Sequence, residues 1–359
     1  ASLIEREKED MMRYRFIHAL VRETLYEDVP HGKCVQLHRQ VGEAFERRYH
    51  TYLRPYLAEL ADHFLKAAPE SGREKAVHYL IQAGERADAL LAYEEAIVHY
   101  ERALHVLPLH EKTEEQRCDL LLALGESRAK ACETQHARES FQQAAAIARK
   151  RNFGEQLARA ALGVGGRGGW GEGGIVDEAL VRVLEEALTI LPHHASALRA
   201  RLLARMSTSL YWSLAPNAQE QREAFNSQAL AIARRLQDPA TLAAILLSRH
   251  VAVWSADNVH ERLAIATEII ELAGTVGNQE LALWGHVWRY ADLLELGDVL
   301  GVERESLALE HLATELRQPL GRWYTTVLQA GRLLMTGHFT EGEMLAIQAL
   351  STGQDVARA

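Results

Sequence analysis

The feature that most restricts this chain is that it repeats itself. "ERALHVLPLH" at 101–110 returns as "EEALTILPHH" at 185–194, and "QQAAAIARKRN" at 142–152 returns as "SQALAIARRLQ" at 227–237. Those starting numbers differ by 84 and 85 residues, about two units of the ~40-residue helix-pair type. A unit of that size cannot bury its apolar face alone, so successive units must stack on one another. Between breaks at Pro, Gly and Asp-Pro, apolar residues follow the 3.6-residue helical period, and no convincing strand alternation interrupts them. Helix pairs are predicted to begin near residues 72, 113, 153, 195, 239, 277 and 319. The expected fold is all-α: a right-handed α-solenoid of about seven helix pairs over 72–353, with a small helical remnant in front.

Individual residues name the repeat type. Leu80, Gly84, Ala87, Tyr93, Ala96, Tyr100, Ala103 and Pro108 stand at the spacings of the tetratricopeptide consensus. Gly84 and Ala96 are small where two helices cross closely, Tyr100 fills the gap to the next repeat, and Pro108 stops the second helix. Leu121, Leu124, Gly125, Ala137, Phe141 and Ala144 repeat the pattern, with Arg149 in place of the proline. Gly337, Phe339, Gly342 and Ala349 keep its second half near the end.

Composition narrows the partners. A formal charge of −9 and a pI near 6.0 supply no broad field for nucleic acid or an anionic membrane. Direct nucleic-acid binding by this segment is not expected. Cys34, Cys118 and Cys132 are odd in number and lack CxxC spacing, which suggests neither a disulfide framework nor a zinc knuckle. No apolar run is long enough for a membrane span, so a reducing cytoplasm is the expected compartment. The chain starts without Met, as an excised piece of a longer protein or a processed one would.

Two stretches resemble phosphate loops. Gly166-x-Gly168-x-x-Gly171 spells the dinucleotide fingerprint, but that loop needs a strand before it and an acidic residue at the end of another strand about 20 residues on. Here "FGEQLARAALGV" before it is helical in period, and Glu185 and Glu186 fall inside a predicted helix. The reading is a connection between the two helices of one repeat. "HGKC" at 31–34 lacks the first glycine and the Ser/Thr of a P-loop. "IVDE" at 175–178 reads as a helix start, with Asp177 and Glu178 at the positive end of the dipole. No nucleotide cofactor is expected.

The front differs from the repeats. Residues 14–48 read as a short aromatic entry, a helix, a break at Pro30 and Gly32, and a second helix. Through Phe16, His18, Leu20, Arg22, Glu23, Leu25, Tyr26, Leu37, His38 and Glu46 this stretch resembles the end of the winged-helix domain in STAND proteins, the signal-transduction ATPases with numerous domains. "AELADHFLKA" (58–67) and residues 75–104 look like the start of the tetratricopeptide arm in such proteins. "ALRARLLARM" (197–206), "ALAIARRLQDPATLA" (229–243), "ELALWGHVWRYADLLELGD" (280–298) and "LATELRQPLGRWY" (312–324) are similar to the sensor regions of bacterial LuxR-type regulators and ATPase-linked nucleotide cyclases. The resemblance implies a winged-helix end over 1–54, a first tetratricopeptide block over 55–155 and a divergent one over 156–359. It also implies an arm on which a ligand or protein relieves autoinhibition, with oligomers possible through the parent ATPase. The ATPase, the output domain and any helix-turn-helix are absent from these residues.

No GxSxG, HExxH or compact acid pair is present, so neither catalytic nor metal-binding residues are expected. His18 and His38 read as structural, and His193-His194, after Pro192, as caps for the end of a helix. The strongest binding signal is the set Tyr211, Trp212, Arg249, Trp254, Trp284, Trp288, Arg289, Trp323 and Tyr324, placed on the predicted first helices of later repeats. First helices line the concave face of a solenoid, where Trp and Arg anchor partners. Packing between repeats is the competing use of those aromatics. The expected function is therefore a noncatalytic sensing arm for a protein or peptide partner, or a small-molecule inducer, on the concave surface. The alternatives are a freestanding scaffold and, from a different class, an enzyme using the histidine-rich first half.

Overall fold

The computed structural model describes residues 4–6, 14–67, 72–165, 175–192, 194, 196–316 and 318–358. The chain forms two compact units. One comprises Ala1–Arg86 with Glu101–Pro108, the other Ala87–Tyr100 with Leu109–Ala359.

In the first unit, strands β1 (Ile4–Arg6) and β2 (Tyr14–Phe16) pair antiparallel, Ile4 opposite Phe16. They are the only strands among the described residues, and β2 is the aromatic entry read from the sequence. Helices α1 (Ala19–Glu27) and α2 (His31–Arg48) follow, with Pro30 as the cap between them. Pro30 ends the first helix and starts the second because its ring fixes φ and supplies no N–H. Helix α3 (Leu57–Lys66) buries Leu60, Ala61 and Phe64. A Cβ on Gly42 of α2 would meet the Phe64 ring at 2.9 Å, so glycine there sets how closely α2 and α3 approach.

Among the described residues, fourteen helices then follow one another, two to each repeat. They are α4 (Arg73–Ala89) with α5 (Tyr93–Val106), α6 (Glu114–Lys130) with α7 (Thr134–Arg151), and α8 (Gly154–Val164) with α9 (Glu178–Ile190). Next come α10 (Ala197–Ser209) with α11 (Ala218–Leu236), and α12 (Pro239–Ala252) with α13 (Val259–Val276). The last are α14 (Gln279–Glu295) with α15 (Val299–Leu316), and α16 (Pro319–Met335) with α17 (Phe339–Arg358). Every first helix begins within two residues of the start read from the sequence. The fold is a tetratricopeptide-like helical repeat, and no helix among the described residues is long and apolar enough to cross a membrane.

The consensus residues are buried as their sizes require. Leu80, Ala96 and Ala103 have no exposed surface, and Tyr100 keeps 2%. Within the second unit, Phe141 of α7 lies against two glycines. A Cβ on Gly125 of α6 would come 2.8 Å from its ring, and one on Gly163 of α8 would overlap it. Small residues on the first helices of two successive pairs thus admit one large residue from the second helix between them. Without a proline, α7 runs on to Arg151 and ends at Asn152 in the left-handed conformation, a common helix stop for Asn.

The repeat also appears in a set of polar contacts that join residues 33 to 39 positions apart. Ser127 donates to Asp88, Arg138 pairs with Asp177, Arg149 with Glu186, Arg159 with Glu126, and the Tyr290 hydroxyl donates to the Leu328 carbonyl. Asp177 caps α9 by accepting from the Leu180 amide at 3.0 Å, so "IVDE" is a helix start. Burial opposes its ionisation, but that amide and Arg138 hold its carboxyl below the usual range. The far end of α9 is reached by the next helix. Its Leu188 and Leu191 carbonyls accept from Arg199 at 3.1 and 3.4 Å, because Arg199 lies one helix on and reaches back over the turn. His193 lies outside the described residues.

Candidate functional site

The aromatic and arginine set divides in the structure. Tyr211, Trp212 and Trp254 stand in the turns after α10 and α12 rather than on those helices. Arg249 is on α12, Trp284, Trp288 and Arg289 on α14, and Trp323 and Tyr324 on α16. Trp288 and Trp254 meet edge to face at 5.5 Å over a buried polar network. In that network His250 stacks on Trp288 and donates from Nε2 to Asp292 at 2.7 Å. Arg262 lies 4.1 Å under the Trp254 ring, 3.0 Å from the other Asp292 oxygen, and bonds Glu295 through both terminal nitrogens. His250, Arg262 and Asp292 have no exposed surface.

The two proposed anchor arginines are engaged within the protein. Arg249 bonds Glu223 at 2.7 Å and approaches Glu261 at 3.6 Å. Arg289 donates to the buried Glu305 at 2.7 Å, beside His286 at 2.6 Å. Burial opposes ionisation of Glu305, but these two donors outweigh it and hold its carboxyl below the usual range. Trp323 packs over Gly353. Trp284 sets its edge against Tyr324 at 5.0 Å and is the member of the set that also faces a groove.

That groove is built by first helices. In the second unit α6 packs on α8, α8 on α10, α10 on α12, and α12 on α14. Two cavities open along this row. One, of about 390 Å³, lies over α8, α10, α12 and α14, with Ile245, Leu281 and Trp284 as its apolar wall and Ser248 and Asn278 as polar groups. The other, of about 530 Å³, lies over α6, α8 and α10, reaches the start of α12, and is lined by Glu126, Lys130, Glu155 and Arg159. Leu162 and Arg201 line both, so the two adjoin there. Ala197, Ala204, Ala240 and Ala244 keep the surface low enough for a backbone to approach. Such a cleft, mostly apolar with a few convergent polar groups, is the usual form of a binding site.

Sequence reasoning missed this lining, because alanines and leucines on an amphipathic helix read as core. The available signal was Arg201 in "ALRARLLARM", a cation among small residues. Tyr211 and Trp212 border a third cavity, of about 460 Å³, with Arg205, Thr208 and Ser209. Arg205 donates to the Gly165 carbonyl at the end of α8, and burial lowers its guanidinium to about 10.

Other sequence candidates are placed as follows. The loop Gly166-x-Gly168-x-x-Gly171 lies outside the described residues. The element before it is helix α8, and Glu185 and Glu186 fall inside α9. His18 caps α1 without a side-chain bond. His38 bonds Tyr26 at 2.7 Å and His63 at 2.9 Å. Burial first, and then the neighbouring His63 and Lys66, lower the His38 pKa, while burial and Lys66 lower that of His63. Burial pushes the Cys118 thiol up to about 12.

No family model and no curated protein matches the chain. Among solved structures it is similar to a Rap protein complexed with Competence and Sporulation Factor, at a TM-score of 0.58 and 14% identity over 92% of this chain and 99% of that one. It is also similar to the Rap conjugation gene regulator of the plasmid pLS20 in complex with the Phr* peptide, at 0.53 and 14% over 83% and 76%. A third likeness is to a STAND protein with a tetratricopeptide repeat sensor from Pyrococcus horikoshii, at 0.46 and 12% over 97% and 56%. The two Rap likenesses show that the chain has the fold of these helical repeat proteins.

Proposed function

We propose that this chain is a noncatalytic sensing and protein-interaction arm, and that the groove of its first helices receives a protein or peptide segment. The observation that carries the reading is the row of adjoining cavities over α6 to α14, which meet at Leu162 and Arg201. Two of the similar structures are Rap complexes, one of them with the Phr* peptide, which supports a peptide as the occupant. The proposed parent is a multidomain signal-transduction ATPase, on the sequence resemblance of residues 14–48 and 197–324. In this reading 1–54 is the end of the winged-helix domain, and 55–155 and 156–359 are two tetratricopeptide blocks. Trp284 contributes to the groove, while Tyr211 and Trp212 offer a neighbouring cavity for a small inducer. Occupancy changes the parent's state only if the segment binds the resting and active states with different affinity.

The test fills the groove. Ala244→Trp puts a large side chain into the cavity beside Trp284, whereas Leu307→Ser alters an exposed side chain of α15. Partners recovered with the unaltered chain are expected to be lost with Ala244→Trp and kept with Leu307→Ser, with helicity unchanged in both. Retention by Ala244→Trp places the interaction elsewhere.

A further inference from the structure

We infer that the groove selects an extended peptide by an acidic side chain set beside an apolar one, and that Arg201 receives the carboxylate. The inference rests on the groove reading above and adds the chemistry of the segment. Four cationic side chains line the two adjoining cavities, and three have partners. Arg159 pairs with Glu126 at 3.2 Å and Asp119 at 3.7 Å, Lys130 lies 5.6 Å over the Tyr93 ring, and Arg205 donates to the Gly165 carbonyl. Arg201 is exposed and makes no hydrogen bond or ion pair among the described residues. Asp238, the lining carboxylate on which the Arg201 charge acts, already accepts from the Thr241 hydroxyl and from the Ala240 and Thr241 amides at the start of α12.

The lining also holds the carboxylates Glu155 and Glu280, so an incoming carboxylate is seated on Arg201 itself and on the amide donor beside it. Asn278 uses its oxygen to cap α14 by accepting from the Leu281 amide at 3.1 Å, which leaves its NH₂ to donate. A guanidinium, with donors in a fixed planar fork, matches a carboxylate in two-point geometry. Position decides which carboxylate. Arg201 stands at the seam of the cavities, so a chain filling both continues past it in each direction. The group it meets is therefore an Asp or Glu side chain within the segment, not a chain terminus. On the α14 side the next side chain enters the wall of Ile245, Leu281 and Trp284, and is apolar.

Random short peptides displayed in two pools test this, one with the C-terminus free and one with both ends embedded in flanking sequence. Each pool is selected on the whole chain, on Arg201→Glu and on Ala244→Trp. Both pools are expected to yield Asp or Glu next to Leu, Ile, Phe or Met on the unaltered chain. Arg201→Glu should reject those peptides and enrich Lys or Arg at the same position. A selected peptide should bind Arg201→Gln about tenfold or more weakly, the scale of one charge-assisted hydrogen bond. Enrichment that ignores Arg201 yet disappears with Ala244→Trp overturns the inference and leaves the groove reading standing. Enrichment that survives Ala244→Trp overturns both. Acidic peptides found only with a free C-terminus, or no enrichment from either pool, overturn the inference.

Discussion

Arg262→Ala is expected to destabilise the chain by about 3–5 kcal/mol, the usual cost of removing one partner of a buried ion pair. Arg262 is fully buried, lies under Trp254, and holds Asp292 on α14 together with Glu295. Its loss leaves the Asp292 carboxylate without surface exposure and with the His250 hydrogen bond. An unpaired buried carboxylate is strained far more than an exposed one, since no water replaces the missing cation. Denaturant unfolding of Arg262→Ala and of Glu295→Ala separates the two contributions. Glu295 is partly exposed, so its removal lets water reach the guanidinium and should cost less. Equal and small losses would mean that the network is not a tie between α12, α13 and α14.

The other large effect is expected at the packing centre of the second and third helix pairs. Phe141→Ala should cost about 3–5 kcal/mol, the range for emptying a buried aromatic site. Its ring meets Gly125 on one first helix and Gly163 on the next, and backbone atoms on both sides restrict collapse into the void. Gly163→Val should also destabilise, by overlap with the ring, on the scale of about 1–3 kcal/mol for overpacking. Combining Gly163→Val with Phe141→Ala should cost less than the sum of the two changes, because the added side chain enters the space the ring leaves. Strict additivity of the two unfolding free energies would contradict this contact.

Much of the fold was legible because its cause is local and periodic. Pro239, Pro319 and Asp238 mark helix starts by the same chemistry that makes them recognisable in sequence. The glycines and alanines of the consensus mark where helices cross. The site was less legible. Residue type alone marks Trp254, Trp288 and Arg289 as anchors, but Arg262 under Trp254, the Asp292 it pairs with, and Glu305 beside Arg289 are buried charges that read in sequence as surface. The pairing joins residues on different helices, and nothing in the local pattern announces it. The groove shows the converse: Ala244, Leu247 and Leu281 resemble core in sequence, yet a row of first helices turns part of that apolar surface toward a cleft.

The most direct measurement of the central claim is site-specific photocrosslinking in cells. A benzophenone side chain is placed at the exposed Glu155 on the edge of the groove or, in a separate protein, at the exposed Leu307 on α15. The account predicts a discrete crosslinked partner segment from position 155, lost when Arg201 is replaced by Glu, and none from position 307. A partner captured from 307 and not from 155 would contradict it.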